Sequence, residues 1–170
     1  MISQNLISQP NLEMLLEADE IGIRLEVTGG LTTWEASPMK SHQKVVDRIR
    51  ASIKATLETC ECVHYADVFV RFTDGSLKRP DISVFCREPI EENTPITLTP
   101  ATVIEVISKG FESKDLELNP PFYLGQGVKD VLVLDPASKE VWHFRSDLEQ
   151  ANKYISPVTL TLECGCKITV

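Results

Sequence analysis

Glu105 is a carboxylate inside an apolar run that is typical of a strand, Val103-Ile104-Glu105-Val106-Ile107. Strand alternation places its side chain on the same face as Val103 and Ile107. A buried charge without a partner is costly, so a glutamate there has to be exposed, neutralised, paired or bound to a metal ion. Taken alone, the position favours a charge at the edge of a sheet, because glutamate is rarely buried.

Asp81 is the second such carboxylate and follows Pro80 at the start of the run Asp81-Ile82-Ser83-Val84-Phe85. Taken alone, an aspartate beside a proline is typical of a turn cap. If the strands of Asp81 and Glu105 are neighbours, however, their carboxylates meet at one point. Mg2+ prefers such hard oxygen ligands, completes its shell with water and phosphate oxygens, and lowers the pKa of an attacking water. The pair therefore predicts a magnesium site.

The order of these and further motifs resembles the Uma-two family of restriction-endonuclease-like proteins, a member of the PD-(D/E)XK superfamily. The resemblance covers about residues 25–145, and its motifs are specific together and weak singly. The matching residues are Glu26, Gly30, Pro38, His42, Arg79-Pro80-Asp81-Ile82-Ser83-Val84-Phe85, Val103-Ile104-Glu105-Val106-Ile107-Ser108, Asp115, Tyr123, Gly127-Val128 and Val131-Leu132-Val133-Leu134-Asp135.

The resemblance implies a restriction-endonuclease-like core, in which helices flank a central mixed sheet. It also implies that Asp81 and Glu105 bind Mg2+ or Mn2+ in an endonuclease that hydrolyses phosphodiester bonds in DNA. The metal ion would orient the scissile phosphate, generate the nucleophile and offset charge on the departing oxygen. His42 matches a family histidine, which implies contact with substrate or with a metal-bound water; capping or packing is the alternative.

One position departs from the family pattern. The superfamily lysine would lie two residues after the glutamate, at Ile107, and in this family it has moved to four residues after Asp115, where this chain has Asn119. An amide donates hydrogen bonds but carries no positive charge. Lys109 and Lys114 are candidate substitutes, with solvated surface lysines as the alternative. Asn119 could instead be the N-cap of a helix that begins at Pro120.

Three functional hypotheses follow. The first is a Mg2+-dependent endonuclease that acts on DNA through Asp81 and Glu105, with a nearby lysine or Asn119 completing the site. The second is a nuclease-fold module with impaired catalysis that binds nucleic acid or a protein partner. The third is a structural or dimerisation domain. A homodimer is compatible with the first two, because restriction-type enzymes often pair to cut both strands.

The elements that must position these residues form a mixed α/β pattern. Helices are predicted at 12–18, about 39–60 and 114–126, a hairpin at 22–33 and strands at 65–72, 79–86, 102–107, 128–134, 141–145 and 154–158, with a closing hairpin at 159–170. The strand, helix, strand order at 102–135 predicts a parallel crossover, with a central strand at 128–134.

The second helix has an apolar and a basic side. Its apolar stripe is Val46, Ile49, Ile53 and Leu57, and its basic residues are Lys40, Lys44, Arg48 and Lys54. A solvated surface is the ordinary interpretation of such a basic side, and contact with phosphates is the alternative.

The composition limits the possible partners and compartment. With 170 residues we expect one domain over 1–170, of which residues 1–10 are flexible. The net charge of -8 opposes long-range attraction to nucleic acid, so any contact must be local. No signal peptide or membrane span is predicted, which indicates a cytoplasmic protein.

The five cysteines comprise two C-x-C pairs, Cys60 with Cys62 and Cys164 with Cys166, and the unpaired Cys86. The odd count argues against a complete disulfide framework. A four-cysteine zinc site is conceivable, but such sites usually separate their paired cysteines by two or more residues, so the spacing favours reduced thiols.

Overall fold

A computed structural model describes residues 12–170; residues 1–10, for which we predicted flexibility, lie outside the described residues. In chain order the elements are helix α1 (Leu12–Glu20), strands β1 (Leu25–Thr28) and β2 (Leu31–Trp34), helix α2 (Lys40–Ser52), strands β3 (Lys54–Ala55), β4 (Val63–Ala66), β5 (Val70–Arg71), β6 (Leu77–Lys78), β7 (Ile82–Phe85) and β8 (Thr102–Val106), a π-helical turn (Lys114–Leu118), helix α3 (Asn119–Gly125), and strands β9 (Asp130–Leu134), β10 (Glu140–Arg145), β11 (Asn152–Ile155), β12 (Thr159–Thr161) and β13 (Cys166–Thr169).

The central sheet has six strands in the order β11-β10-β9-β8-β7-β4. Strands β8 and β9 pair in parallel, whereas the other neighbours in this sheet are antiparallel. Both strands of the parallel pair are buried along their whole length, as a sheet covered on both faces requires. The mixed α/β class, the parallel crossover and the central position of β9 are thereby confirmed.

Each face of the central sheet has its own apolar core. On one face, Val46 and Ile49 of α2 pack with Ile82 and Ile104 of the sheet, together with side chains of the C-terminal hairpin. On the other face, Tyr123 of α3 packs with residues of β8 and β9 such as Val103 and Val131. Because Glu105 is two residues after Val103 in β8, its side chain lies on the same face, which is covered by α3.

A smaller antiparallel sheet, ordered β2-β1-β6-β5, lies beside the central one. Val27 of β1 is paired with Leu77 of β6, so the antiparallel register sets Glu26 opposite Lys78. Both side chains are almost fully buried, at 2% and 1% exposure. This sheet therefore brings a buried ion pair towards the Asp81 end of β7.

Two element boundaries differ from the sequence predictions. Helix α2 ends at Ser52 and not near Cys60, because Ile53 is already extended and the chain continues into β3, which pairs with β13. Leu57, assigned to the apolar stripe, is 56% exposed. The strand predicted at 65–72 is divided into β4 and β5 by a backbone turn in which Asp67 has a φ of 57°.

The prediction of five reduced thiols is wrong for two of them, since Cys62 and Cys166 form a disulfide and the other three cysteines are free. In the described part of the chain, none of the helices is both long enough and apolar enough to cross a membrane.

Candidate active site

Asp81 and Glu105 face each other across adjacent antiparallel strands. Ile82 of β7 is paired with Ile104 of β8, so the register places Asp81 opposite Glu105. The Asp81 backbone N–H donates to Glu105 Oε2 at 3.2 Å, and the Val106 N–H donates to Asp81 Oδ2 at 2.7 Å. Both side chains line a pocket of about 20 Å3 with His42 and Asp115, which is room for one water-sized occupant.

Glu105 lies in a central strand and is only 6% exposed, so the interpretation of a charge at a sheet edge is wrong. Its Oε1 accepts a 2.8 Å hydrogen bond from the hydroxyl of the fully buried Tyr123. Burial, and then the negative charges of Asp81 and Asp115, raise the pKa of Glu105 well above its ordinary value. Ionising Glu105 is therefore unfavourable unless a cation binds beside it.

Asp115 joins this acidic pair from the π-helical turn. Its side chain is buried, and it accepts a 3.3 Å hydrogen bond from Asn119 Nδ2. Burial raises the pKa of Asp115 to about 7, although the Lys114 ammonium opposes the shift. A group with this pKa changes its charge in the neutral range, where a bound cation would favour the ionised form.

His42 reaches the pocket from the first turn of α2. Its Nε2 lies 3.2 Å from Asp81 Oδ2 and 3.1 Å from the Val106 carbonyl oxygen. The hydrogen bond to Asp81 raises the pKa of His42, against the opposing effect of burial. The imidazole thus links α2 to the ends of β7 and β8, and it lines the pocket.

Asn119 is buried as the first residue of α3, and its amide makes two contacts with the site. Its Oδ1 accepts from Lys78 Nζ at 3.0 Å, and its Nδ2 donates to Asp115. Only this orientation of the amide satisfies both an ammonium and a carboxylate. Leu118 occupies the N-cap position, so the interpretation of Asn119 as a cap is wrong.

Lys78 is a site residue that sequence reasoning missed, as it missed Glu35 in the pocket lining. Its Nζ lies 2.6 Å from Glu26 Oε2 and near the ring faces of Phe122 and Tyr123. The side chain is almost completely buried, and an ammonium in such a place requires the partners it has here. Lys78 belongs to a two-residue strand, so no periodicity marked it; the informative signal is its register with Glu26.

The two lysines proposed as substitutes lie in different surroundings. Lys114 Nζ pairs with Glu35, which lines the pocket, and lies 3.2 Å from Glu26 Oε2. Lys109 is exposed on the loop after β8, where it lines a wider neighbouring groove. The structure thus brings Lys114 to the carboxylates and leaves Lys109 outside them.

The donor set fits a hard divalent cation. The carboxylates gathered here are Glu26, Glu35, Asp81, Glu105 and Asp115, and the cationic partners are Lys78, Lys114 and, when protonated, His42. When all five carboxylates are ionised, they outnumber the three possible cations at a pocket whose side-chain donors are mainly oxygens. Mg2+ and Mn2+ are the ions that such oxygen donors favour.

Comparisons with known proteins agree with this architecture. The Uma2 family (Uma-two), described as "Putative restriction endonuclease", matches residues 11–165. The fold is similar to a crystal structure from Anabaena variabilis ATCC 29413, described as a "putative nuclease belonging to DUF820", with a TM-score of 0.61 and 21% identity over 81% of this chain and 80% of that one. No curated protein matches. Because the family match spans nearly the whole chain, this protein belongs to the Uma2 family.

Proposed function

We propose that this protein is a divalent-metal-dependent endonuclease that hydrolyses phosphodiester bonds in DNA. Asp81 and Glu105 would hold Mg2+ or Mn2+, and Lys114 and His42 would lie beside the bound phosphate. The observation that carries the proposal is the register of β7 and β8, which sets the two carboxylates across from each other in one narrow pocket. The family description supports the same reaction class.

The side chains around the pocket fix the two carboxylates. The Val106 N–H and His42 both contact Oδ2 of Asp81. Among the described residues, none forms a hydrogen bond with Oδ1. Glu105 is held at both oxygens, by Tyr123 and by the backbone of Asp81. A divalent ion would supply the positive charge that binds the scissile phosphate and stabilises the charge that develops on its oxygens. Preorganised carboxylates need little rearrangement to receive it.

The position of Lys78 supports the inference that it replaces the lysine that the family has where this chain has Asn119. A lysine there would carry its ammonium two covalent bonds beyond the δ atom, roughly 2.5 Å in the direction of Asn119 Oδ1. Lys78 Nζ lies 3.0 Å from that oxygen. We infer that Lys78 of β6 supplies the positive charge that a lysine on α3 would otherwise supply. Asn119, which bonds to both Lys78 and Asp115, would hold the Asp115 carboxylate in position relative to that charge.

A groove of about 910 Å3 borders the pocket and shares His42, Ser108 and Phe111 with it. A nucleic-acid strand could approach the carboxylates along this groove. The residues Lys40, Lys44 and Arg48 are exposed at four-residue intervals on α2, so they share one face. Because the net charge of the chain is -8, such local cations are needed to attract phosphates.

The test is cleavage of supercoiled plasmid in Mg2+ or Mn2+. We expect the natural protein to nick or linearise the plasmid, and Asp81→Ala and Glu105→Gln each to lower the rate at least about 100-fold, equivalent to about 2.7 kcal/mol. Asp147→Asn, which changes an exposed carboxylate paired with Arg145, is the matched control and should cut normally. Cleavage that survives Asp81→Ala would rule out the proposed site.

We further propose that cleavage of both strands uses a homodimer, because two-fold symmetric pairs present one site to each strand. Sedimentation of the protein with a short duplex measures this. A monomer on the duplex that nevertheless linearises plasmid would contradict it.

A second candidate is a module that binds nucleic acid or a protein partner without cutting, and Asn119 is the observation that favours it. It predicts that the natural protein binds a duplex but leaves plasmid intact, whereas Asn119→Lys gains cleavage. The buried ammonium of Lys78 favours the active enzyme over this candidate.

A further inference from the structure

All five cysteines meet at one place, remote from the acidic pocket. Cys60 and Cys62 come just before β4, Cys86 comes just after β7, and Cys164 and Cys166 lie in the β12–β13 hairpin. These three segments are far apart in sequence, and the Cys60–Cys166 contact alone spans 106 residues. Cysteines that merely filled apolar space would have no reason to share one location, so the clustering calls for a chemical explanation.

The sulfur separations match those around a single tetrahedral ion. Cys60 Sγ lies 3.5 Å from Cys166 Sγ and 3.9 Å from Cys62 Sγ. The Sγ atoms of Cys60, Cys164 and Cys166 all lie within 4.8 Å of one another. A tetrahedral Zn2+ with metal–sulfur bonds of about 2.3 Å separates its ligands by roughly 3.8 Å. Small shifts of these side chains would therefore enclose an ion.

We propose that the reduced chain binds one Zn2+ through Cys60, Cys164 and Cys166, with Cys62 or Cys86 as the fourth thiolate. Cys62 is the nearer candidate because it already contacts Cys60. Cys86 is the other candidate because it lies beside both Cys60 and Cys164. Four sulfur ligands in tetrahedral geometry select zinc over the hard ions that suit the acidic pocket.

The disulfide between Cys62 and Cys166 is the alternative state of the same cluster. Cys166 cannot serve the disulfide and the ion together, because zinc binds the thiolate. Reduction by a phosphine or a thiol adds two electrons and two protons and yields two thiols. Zinc binding then releases protons as the ligands become thiolates. Metal binding and oxidation therefore exclude each other at this site.

The position of the cluster indicates a structural role for the ion. Cys60 is 2% exposed and Cys166 is fully buried, so water has little access to an open coordination position. A closed four-ligand shell is characteristic of structural zinc sites. The ion would tie the segment before β4 and the end of the sheet to the C-terminal hairpin.

The experiment uses the full chain, purified with a phosphine reductant and loaded with Zn2+ or Co2+. We expect one thiolate-bound ion per chain, counted by titrating an intense sulfur-to-cobalt charge-transfer band to saturation. Cys60→Ser and Cys164→Ser should each weaken Co2+ binding at least tenfold, whereas Asp81→Ala should leave the thiolate band unchanged. Of Cys62→Ser and Cys86→Ser, the one that lowers the band intensity identifies the fourth ligand.

Three spectroscopic results would overturn the proposal: no charge-transfer band in the reduced natural chain, a band that persists in Cys60→Ser, or a band lost in Asp81→Ala. The spectrum of the natural chain decides the matter even if a serine variant fails to fold. Iron with acid-labile sulfide in the purified protein would also contradict a mononuclear zinc site. None of these readouts depends on nuclease activity, so failure here leaves the proposed endonuclease untouched.

Discussion

Strand β7 ends in different chemistry at its two ends. Asp81 precedes it and faces Glu105 and His42, whereas Cys86 follows it and lies among the other cysteines. The two residues are five positions apart, roughly 17 Å along a strand. One end gathers hard oxygen donors and the other gathers soft sulfur donors. A single strand thus keeps two unlike donor sets too far apart to compete for one ion.

The two ends also differ in their cost to the fold without an ion. At the acidic end, burial and then the negative charge of Asp81 raise the pKa of Glu105 and Asp115, so ionising either group lowers the stability of the native state. At the cysteine end, the free thiols and the Cys62–Cys166 disulfide pack as small apolar groups in or against the core. The acidic end therefore lowers the stability of the fold in order to present a cation-binding site, whereas the cysteine end stabilises the fold with or without an ion.

The largest expected effect is that a substitution at the acidic end removes cleavage but not stability, whereas one at the cysteine end removes stability but not cleavage. Asp81→Ala should abolish plasmid cleavage and leave the free energy of unfolding equal or higher, because it removes repulsion from Glu105. Cys60→Ser should lower that free energy by about 2–3 kcal/mol, because it puts a hydroxyl in the core, yet keep the cleavage rate per folded molecule. Urea unfolding and plasmid cleavage measure the two quantities. If both variants lose both properties, the two ends are not independent.

The next effect tests Lys78 at the acidic end. Lys78→Met should lower cleavage about 100-fold, because Glu26 and Asn119 lose their cationic partner. Adding Asn119→Lys to that variant should restore at least about tenfold, since the charge returns from α3. Lys153→Met, an exposed lysine of β11, is the control. If the double variant is folded but no faster than Lys78→Met, Lys78 does not replace the family lysine.

A smaller effect concerns pH. Burial raises the pKa of Asp115 to about 7 from 3.8, so the native state holds a proton that the unfolded state has released between these values. The free energy of unfolding without metal should therefore fall as pH rises from about 4 to 7, on the order of 2 kcal/mol. Asp115→Asn and added Mg2+ should each flatten this dependence. Urea titrations with a chelator measure it, and a flat profile for the natural protein would refute the assignment.

The smallest effect compares a glycine at each end. Gly165 has a φ of 93°, and a Cβ there would lie 2.7 Å from Leu57 Cδ1. Gly110 has a φ of 90° but open space around it. Gly110→Ala should cost about 1 kcal/mol for backbone strain, and Gly165→Ala about 1–2 kcal/mol more for the clash. Equal losses in thermal unfolding would show that the cysteine end is not the more tightly packed one.

Much of the fold could be predicted because periodicity reports burial directly. The alternation around Glu105 gave its face correctly, and the apolar run at 128–134 identified β9 as a central strand. Register could not be predicted, since the partner of a strand is set by packing with residues distant in sequence. The pairing of Asp81 with Glu105 therefore remained conditional until β7 and β8 were seen side by side.

The candidate site was predictable only where the family pattern applied. The carboxylates and His42 lie together, but Lys78 enters from a two-residue strand and is recognisable only by its register with Glu26. The prediction of reduced thiols was wrong for another reason. The C-x-C spacing describes local geometry, whereas the cluster is assembled from the segment before β4, the end of β7 and the C-terminal hairpin, which come from both halves of the chain.

The 106 residues between Cys60 and Cys166 also impose an order of events during synthesis. At about 5–20 residues per second, the ribosome delivers Cys166 roughly 5–20 s after Cys60. In that interval the earlier thiols have neither their disulfide partner nor their last metal ligands. Closing the cluster must therefore wait until Cys166 has been synthesised, however early the segments around Cys60 and Cys86 begin to fold.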